Sequence, residues 1–173
     1  MIMKKYITII LAVLILLTMI GCSKNKQIDA TTDVSPSEIA RQIVEACGRD
    51  IDSFVDIHEL FDAESLIEYV ENRYDISITS NESISLYSAD MPDAFEIAVF
   101  QFASDDDAAN AVEKLTEYIS ALEEEFAFYE PEQAYIVHNS ISVSSGCYAA
   151  LLICEETSFA KETFENAISD KSQ

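Results

Sequence analysis

The chemistry open to this sequence depends first on its four cysteines, because a thiolate is both a nucleophile and a metal ligand. One strand is predicted over residues 147–154, and it places Cys147 and Cys154 on opposite faces, about 23 Å apart. These two thiols therefore cannot bond to each other. Cys47 could reach one of them, but the favoured interpretation is that all three are small, buried, apolar side chains.

His58 and His138 are the two imidazoles that could serve acid–base catalysis or metal binding. A catalytic thiol at Cys147 would need one of them as its base, and a zinc site would need both with a carboxylate. Neither histidine lies in a recognisable motif, and the sequence has no HExxH and no Gly-x-Ser-x-Gly elbow. We therefore predict no catalytic, metal-binding or cofactor-binding residue, and no cofactor.

Two acidic clusters, at residues 105–107 and 123–125, are the remaining candidates for a metal site. Three consecutive residues fan out around a helix, so one cluster cannot direct all its carboxylates at one ion. Helix capping explains the first cluster and a solvated helix face the second. No Asp-x-Asp-x-Asp-Gly calcium loop occurs, which leaves a weak divalent-cation sensor as an alternative only.

Composition limits the classes of function. The chain has 173 residues, enough for one domain, and 49% of them are hydrophobic, as in a globular protein. Ten basic residues against 32 acidic ones give a net charge of −22, which excludes a nucleic-acid-binding stripe. With three glycines in all, a glycine-rich phosphate loop is also excluded.

The amino terminus has the pattern of an export signal. Lys4 and Lys5 precede an apolar run at residues 7–20, which is shorter than the roughly 20 residues that span a bilayer. The run ends in Met19-Ile20-Gly21-Cys22, which resembles the lipobox of bacterial lipoproteins. In such a tetrad the thiol receives a diacylglyceryl group, and the small preceding residue admits the signal peptidase. Cys22 is therefore the predicted site of lipidation.

These patterns predict four segments: a signal peptide at residues 1–21, the lipidated cysteine with a flexible linker at 22–34, a single domain at 35–169 and a tail at 170–173. Removing residues 1–21 takes away two lysines and no acid, so the net charge changes from −22 to −24. The predicted location is the extracytoplasmic face of the cell membrane, reached through the lipid. Lys24 and Lys26 either pair with headgroups or solvate the linker.

Capping residues predict four helices. The first begins after Ser35 and ends at Gly48, the second runs from Asp62 to about Tyr74, and the stretch between them is ambiguous. Ser104 caps a long helix that stops at Pro131. Thr157 caps the last helix, which is predicted to bury Phe159, Phe164 and Ile168.

Alternation and apolar runs predict four strands: an edge strand around residues 83–87, a central strand at 95–102, a third around 141–143 and a fourth at 147–154. A weak internal echo aligns Phe95 with Tyr148 and Leu115 with Ile168, which indicates two β-β-α units. The predicted fold is therefore α+β: a two-layer sandwich with a four-stranded antiparallel sheet, helices on one face, and two helices before it.

Residues 96–100, 108–115, 126–132 and 143–152 together resemble the bacterial lipoprotein family called domain of unknown function 4358. The resemblance extends over about residues 35–168. It implies a lipoprotein leader and an origin mainly in Gram-positive anaerobes. It implies no assigned activity and no catalytic residue, and it gives a weak hint of surface-polymer chemistry.

The main functional hypothesis is a noncatalytic, lipid-anchored binding or accessory domain of the cell envelope, with an envelope protein or polymer as partner. The alternatives are an envelope enzyme, or an accessory to O-acylation of a surface polymer, and the weak cation sensor. Five aromatic residues either close the core or form an exposed patch for a partner or glycan: Tyr118, Phe126, Phe128, Tyr129 and Tyr135.

Overall fold

The computed structural model describes residues 34–169. Cys22, Lys24, Lys26, the predicted signal peptide and the predicted tail lie outside the described residues. The chain divides into two units, and residues 34–169 all belong to the second, Thr32–Gln173. No helix in this part of the chain is long and apolar enough to cross a lipid bilayer.

Helix α1, Pro36–Ala46, forms where its capping residues predict it. The Ser35 hydroxyl accepts a hydrogen bond from the backbone N–H of Glu38 at 3.2 Å, and Pro36 occupies the first turn. Gly48 has a φ of +71°, the left-handed conformation that ends a helix with little strain. The face that α1 buries consists of Ile39, Ala40, Ile43 and Val44.

Two more helices precede the sheet. The ambiguous stretch contains a 3₁₀ turn, Ile51–Ser53, and a one-turn helix α2, Ile57–Leu60. Helix α3, Ala63–Tyr74, begins where the Asp62 carboxylate accepts the backbone N–H of Ser65 at 2.9 Å. It buries Leu66, Val70 and Tyr74, whereas Ala63 in its first turn is exposed.

Four antiparallel strands form one sheet in the order β1-β2-β4-β3: β1 is Ile84–Ser88, β2 is Glu96–Gln101, β3 is Ile141–Ser145 and β4 is Tyr148–Ile153. A 3₁₀ turn, Asn81–Ser83, leads into β1. The predicted edge and central strands are confirmed. Gly146, with a φ of +54°, allows the two-residue turn that joins β3 to β4.

Three helices follow the central strands: α4 is Asp105–Tyr129, α5 is Pro131–His138 and α6 is Thr157–Ser169. Ser104 caps α4, accepting the N–H of Asp107 at 3.1 Å. Pro131 ends α4 as predicted but also begins α5, which the sequence analysis did not predict. In α6, Phe164 is buried but Phe159 is 52% exposed, so its predicted burial is wrong.

The predicted class is confirmed, with a four-stranded antiparallel sheet and two β-β-α units, but the prediction that helices cover one face is wrong. Helices α3, α4 and α5 cover one face, which includes Ala98, Phe100 and Leu151. Helices α1 and α6 cover the other, which includes Val99 and Leu152. Because β2 and β4 carry apolar side chains on both faces of the sheet, helices must pack against both faces to bury them. The fold is therefore a three-layer sandwich.

The internal echo holds for the strands and fails for the helices. Val99 and Leu152, which the echo aligns, belong to the same core cluster. Leu115 in α4 belongs to the cluster on the opposite face, whereas Ile168 in α6 packs against the cluster that holds Val99 and Leu152. The two helices that the echo aligns, α4 and α6, therefore pack on opposite faces of the sheet.

Candidate functional site

The most concentrated polar cluster surrounds Glu96, the first residue of β2. Glu96 is only 4% exposed to solvent, although burying a carboxylate without partners costs free energy. Three elements supply those partners: Arg73 and Tyr74 from the last turn of α3, Ser88 from the end of β1, and Tyr118 from α4. We name these five residues the Glu96 cluster.

Both carboxylate oxygens of Glu96 are hydrogen-bonded. The Tyr74 hydroxyl donates to Oε1 at 2.7 Å. Arg73 forms an ion pair with Oε2, and the hydroxyls of Tyr118 and Ser88 donate to the same oxygen at 3.3 and 3.4 Å. The network therefore compensates the carboxylate with one cation and three hydroxyl donors.

The Arg73 guanidinium also lies over aromatic rings, with its central carbon 5.5 Å from the centroid of Tyr74 and 5.3 Å from that of Tyr118. Burial lowers the pKa of Arg73, but the Glu96 carboxylate outweighs this and the net pKa is raised. Burial, and after it the charge of Glu96, raise the pKa of Tyr74 and of Tyr118. Both phenols therefore stay protonated and donate hydrogen bonds at neutral pH.

This arrangement suits a structural tie better than acid–base chemistry. A raised pKa makes the phenols of Tyr74 and Tyr118 poor acids and keeps them protonated at neutral pH, so no phenolate is present to act as a base. The guanidinium of Arg73 is already protonated and cannot accept a proton. In the described part of the chain, no buried side-chain nitrogen or oxygen lacks a hydrogen-bond partner. The Glu96 cluster thus fastens α3, α4 and β1 to β2.

A cavity of about 360 Å³ opens beside the cluster and is lined by Arg73, Glu96 and Tyr118. It also takes in the loop between β1 and β2, including Asp90 and Met91. A second cavity, of about 480 Å³, lies nearby against α2 and β1 and is lined by Phe54, Phe61 and Tyr69. Both mix polar and apolar walls, as small ligand sites do.

The structure corrects the predicted placement of the thiols. Cys47 and Cys147 are only half-buried, whereas Cys154 is buried. Cys147 and Cys154 lie just beyond the opposite ends of β4 and pack against the same core cluster, not on opposite faces of the sheet. The predicted alternation fails because Cys147 lies in the turn before β4, outside the strand. The side chains of Cys47 and Cys154 line the same cavity and belong to the same core cluster. All three are thiols in the structure, with no disulfide among them.

The two histidines stand apart from these groups. His138 is exposed, at the end of α5, and its Nδ1 lies 2.7 Å from Oε1 of Glu123. His58 is half-buried in the one-turn helix α2. Neither imidazole lines the two cavities above or the cavities beside Cys47 and at the start of α4.

The acidic clusters lie on the surface of α4, and residues 34–169 contain no group of three His, Cys, Asp or Glu side chains placed to hold a metal ion. Asp107 closes the helix cap with Ser104, and Glu123 pairs with His138. The aromatic residues divide between the two predicted possibilities. Phe126 is buried, whereas Phe128, Tyr129 and Tyr135 are 79%, 65% and 74% exposed.

A family model described as "Domain of unknown function (DUF4358)" matches residues 60–154. The chain belongs to this family. The DUF4358 match contains the whole sheet, helices α3 to α5 and all five residues of the Glu96 cluster. Helices α1 and α6 fall outside it. No curated protein and no solved structure matches this chain.

The Glu96 cluster within the DUF4358 domain was not predicted, although the sequence contains one signal of it. Glu96 interrupts an otherwise apolar stretch that was correctly predicted as a central strand. A carboxylate in such a strand requires buried partners. The identity of those partners depends on long-range packing, since Arg73 and Tyr118 lie more than 20 residues away in opposite directions along the chain.

Proposed function

We propose that this DUF4358 protein is a bacterial lipoprotein, held at the extracytoplasmic face of the membrane by lipid on Cys22. There it acts as a noncatalytic binding or accessory domain of the cell envelope. The observation that carries the anchoring is the tetrad Met19-Ile20-Gly21-Cys22 at the end of a 14-residue apolar run, residues 7–20.

Charge supports attachment by lipid. After removal of residues 1–21 the chain has a net charge of −24, so an anionic membrane surface repels it. Electrostatic attraction cannot then hold the domain at the membrane. Two acyl chains on one cysteine supply stable attachment, whereas a single chain binds only marginally.

The geometry of the described residues supports the noncatalytic role. The polar groups of the Glu96 cluster bond to one another, and the raised pKa values of the two phenols keep them protonated at neutral pH, where they serve neither as acids nor as bases. Neither His58 nor His138 lines the cavities described above, including the cavity lined by Cys47 and Cys154. A nucleophile with an adjacent base, which covalent catalysis needs, is not assembled among residues 34–169.

A binding role draws support from three exposed aromatic residues near the junction of α4 and α5. The rings of Phe128 and Tyr129 contact each other edge to face, with centroids 4.8 Å apart. Tyr135 is also mostly exposed. Exposed aromatic side chains are enriched where a protein binds another molecule.

Labelling of growing cells with radioactive palmitate tests the anchor. The wild-type chain should incorporate label, and Cys22→Ala should lose it and remain in the precursor form. Cys147→Ala is the matched control, since it removes a thiol of the described domain in place of Cys22. Equal labelling of the wild type and Cys22→Ala would overturn the proposal.

A further inference from the structure

Cys47 and Cys154 lie far apart in the sequence but meet in the fold. Cys47 follows α1, and Cys154 follows β4, the strand at the centre of the sheet beside β2. The two side chains pack in the same core cluster, and each thiol shifts the pKa of the other. Both line a cavity of about 370 Å³ that opens to solvent, with Arg49, Asp93 and Glu156 in its wall.

We propose that Cys47 and Cys154 form a disulfide by exchange with a small external disulfide that enters this cavity. Because Cys47 and Cys154 share this cavity and one core cluster, rotation of their side chains can bring the two sulfurs together. Cys47 is half-buried and faces the entering molecule, while Cys154 is 3% exposed behind it. The first therefore attacks and the second resolves.

The exchange balances without any further reactant. The Cys47 thiolate attacks one sulfur of the external disulfide, and the other half leaves as a thiolate that takes up a proton. The Cys154 thiol then loses its proton, attacks the Cys47 sulfur and releases the remaining half as a second thiol. Two electrons and two protons pass from the cysteine pair to the external disulfide.

The surroundings favour Cys47 as the attacking group. It lies at the C-terminal end of α1, where the helix dipole alone disfavours a thiolate. The neighbouring Cys154 thiol and the charge of Arg49 nevertheless lower the pKa of Cys47. The paired thiol and burial raise the pKa of Cys154, which stays protonated until its turn to react.

The other roles of a thiol pair fit less well. A zinc ion needs four ligands, and residues 34–169 contain no group of three His, Cys, Asp or Glu side chains placed to hold a metal ion. Simple core filling explains Cys154, but not a half-buried partner whose sulfur lies on a cavity. The bond would instead cross-link α1, which lies outside the DUF4358 match, to the last residue of that match.

The test counts thiols in the full chain carrying Cys22→Ala, purified in detergent and reduced, which contains three cysteines. The probe is bis(2-hydroxyethyl) disulfide, chosen because an uncharged disulfide is not repelled by Asp93 and Glu156. After denaturation, maleimide should add to three sites before oxidation and to one afterwards, with peptides of Cys47 and Cys154 joined. Because Cys22 is absent, failure of this experiment is separate from failure of the proposed anchor.

Matched variants make the result specific. Adding Cys147→Ser should leave the cross-link intact and take the count from two adducts to none. Adding Cys47→Ser should abolish the cross-link while circular dichroism shows a folded chain. Three adducts after oxidation, a cross-link that involves Cys147, or mixed disulfides alone would overturn the proposal.

Thermal unfolding provides a second readout. A cross-link that closes a loop of about 110 residues should raise the Tm by about 10 °C over the reduced chain. The Cys47→Ser variant should show the same Tm under oxidising and reducing conditions. An oxidised chain that melts at the temperature of the reduced one would contradict a native cross-link.

Discussion

At the scale of the residue, the notable feature is the buried carboxylate of Glu96, whose negative charge is balanced by an ion pair and hydrogen bonds. Glu96 accepts hydrogen bonds from two phenols, and those phenols are themselves buried or half-buried. A phenol next to a carboxylate cannot readily lose its proton, since the product would be a second anion in the same site. The stability of the fold is therefore coupled to the protonation of Tyr74 and Tyr118.

This coupling predicts a loss of stability at alkaline pH. The pKa of Tyr74 is raised in the folded state, whereas in the unfolded chain it is about 10. The stabilisation is thus fully present below pH 10 and declines as pH rises above it, because only the unfolded chain releases the proton. Urea unfolding from pH 8 to 11 should show a decline that Tyr74→Phe reduces by about 1.4 kcal/mol per pH unit above pH 10.

Tyr135→Phe is the control for this series, because it removes a phenol that is 74% exposed. The Tyr135→Phe variant should show the same dependence of the free energy of unfolding on pH as the wild type. A Tyr74→Phe variant that loses stability as steeply as the wild type between pH 10 and 11 would show that Tyr74 ionises alike in both states.

At the scale of the element, Arg73 and Glu96 fasten α3 to β2. The Arg73 side chain is 31% exposed and that of Glu96 is 5% exposed, so the pair is largely withdrawn from solvent. Removing one partner of such a pair leaves an uncompensated charge. The contrast within this chain is Arg41 on α1, whose ion pairs with Glu38 and Glu45 lie at the surface.

Arg73→Met should therefore lower the free energy of unfolding by about 3 kcal/mol, measured by urea denaturation. Arg41→Met, the matched control, should leave it nearly unchanged, since exposed pairs contribute little. Arg73→Met combined with Glu96→Gln should recover part of the loss, because the unpaired carboxylate is then gone. Equal effects of the two arginine substitutions would contradict the structural role of the Glu96 cluster.

The elements themselves were largely predictable, because their ends depend on local chemistry. Ser35, Asp62 and Ser104 each cap the helix that follows, as their types and spacing indicate. Helix α5 was missed because Pro131 can both end one helix and begin another. The partners of Glu96, and which of Cys147 and Cys154 lies near Cys47, could not be predicted, since they depend on how distant elements pack.

At the scale of the whole molecule, two layers were predicted and three are found, and the reason is visible in the sequence of β4. Residues 148–153 are buried at every position, so β4 presents apolar side chains on both sides of the sheet. Such a strand requires helices above and below. Which helix takes which face is a property of global packing, and the echo between the two β-β-α units favoured the wrong answer.

The exposed aromatic residues predict where a partner binds. A photoreactive phenylalanine analogue at position 128 of the full chain should form a cross-linked product in intact cells. The same analogue at position 113, an exposed site about 22 Å away along α4, should not. Products of equal yield at both positions, detected by immunoblotting, would show that the aromatic residues do not mark a binding surface.

Covering both faces leaves the sheet open only along its two outer strands. These are β1 and β3, each five residues long and each carrying serines. Unpaired strand borders are where one protein molecule can recruit the backbone of another and start an aggregate. Because both edge strands are short and contain serines, they offer little backbone for another molecule to pair with. The domain should therefore resist aggregation at high local concentration.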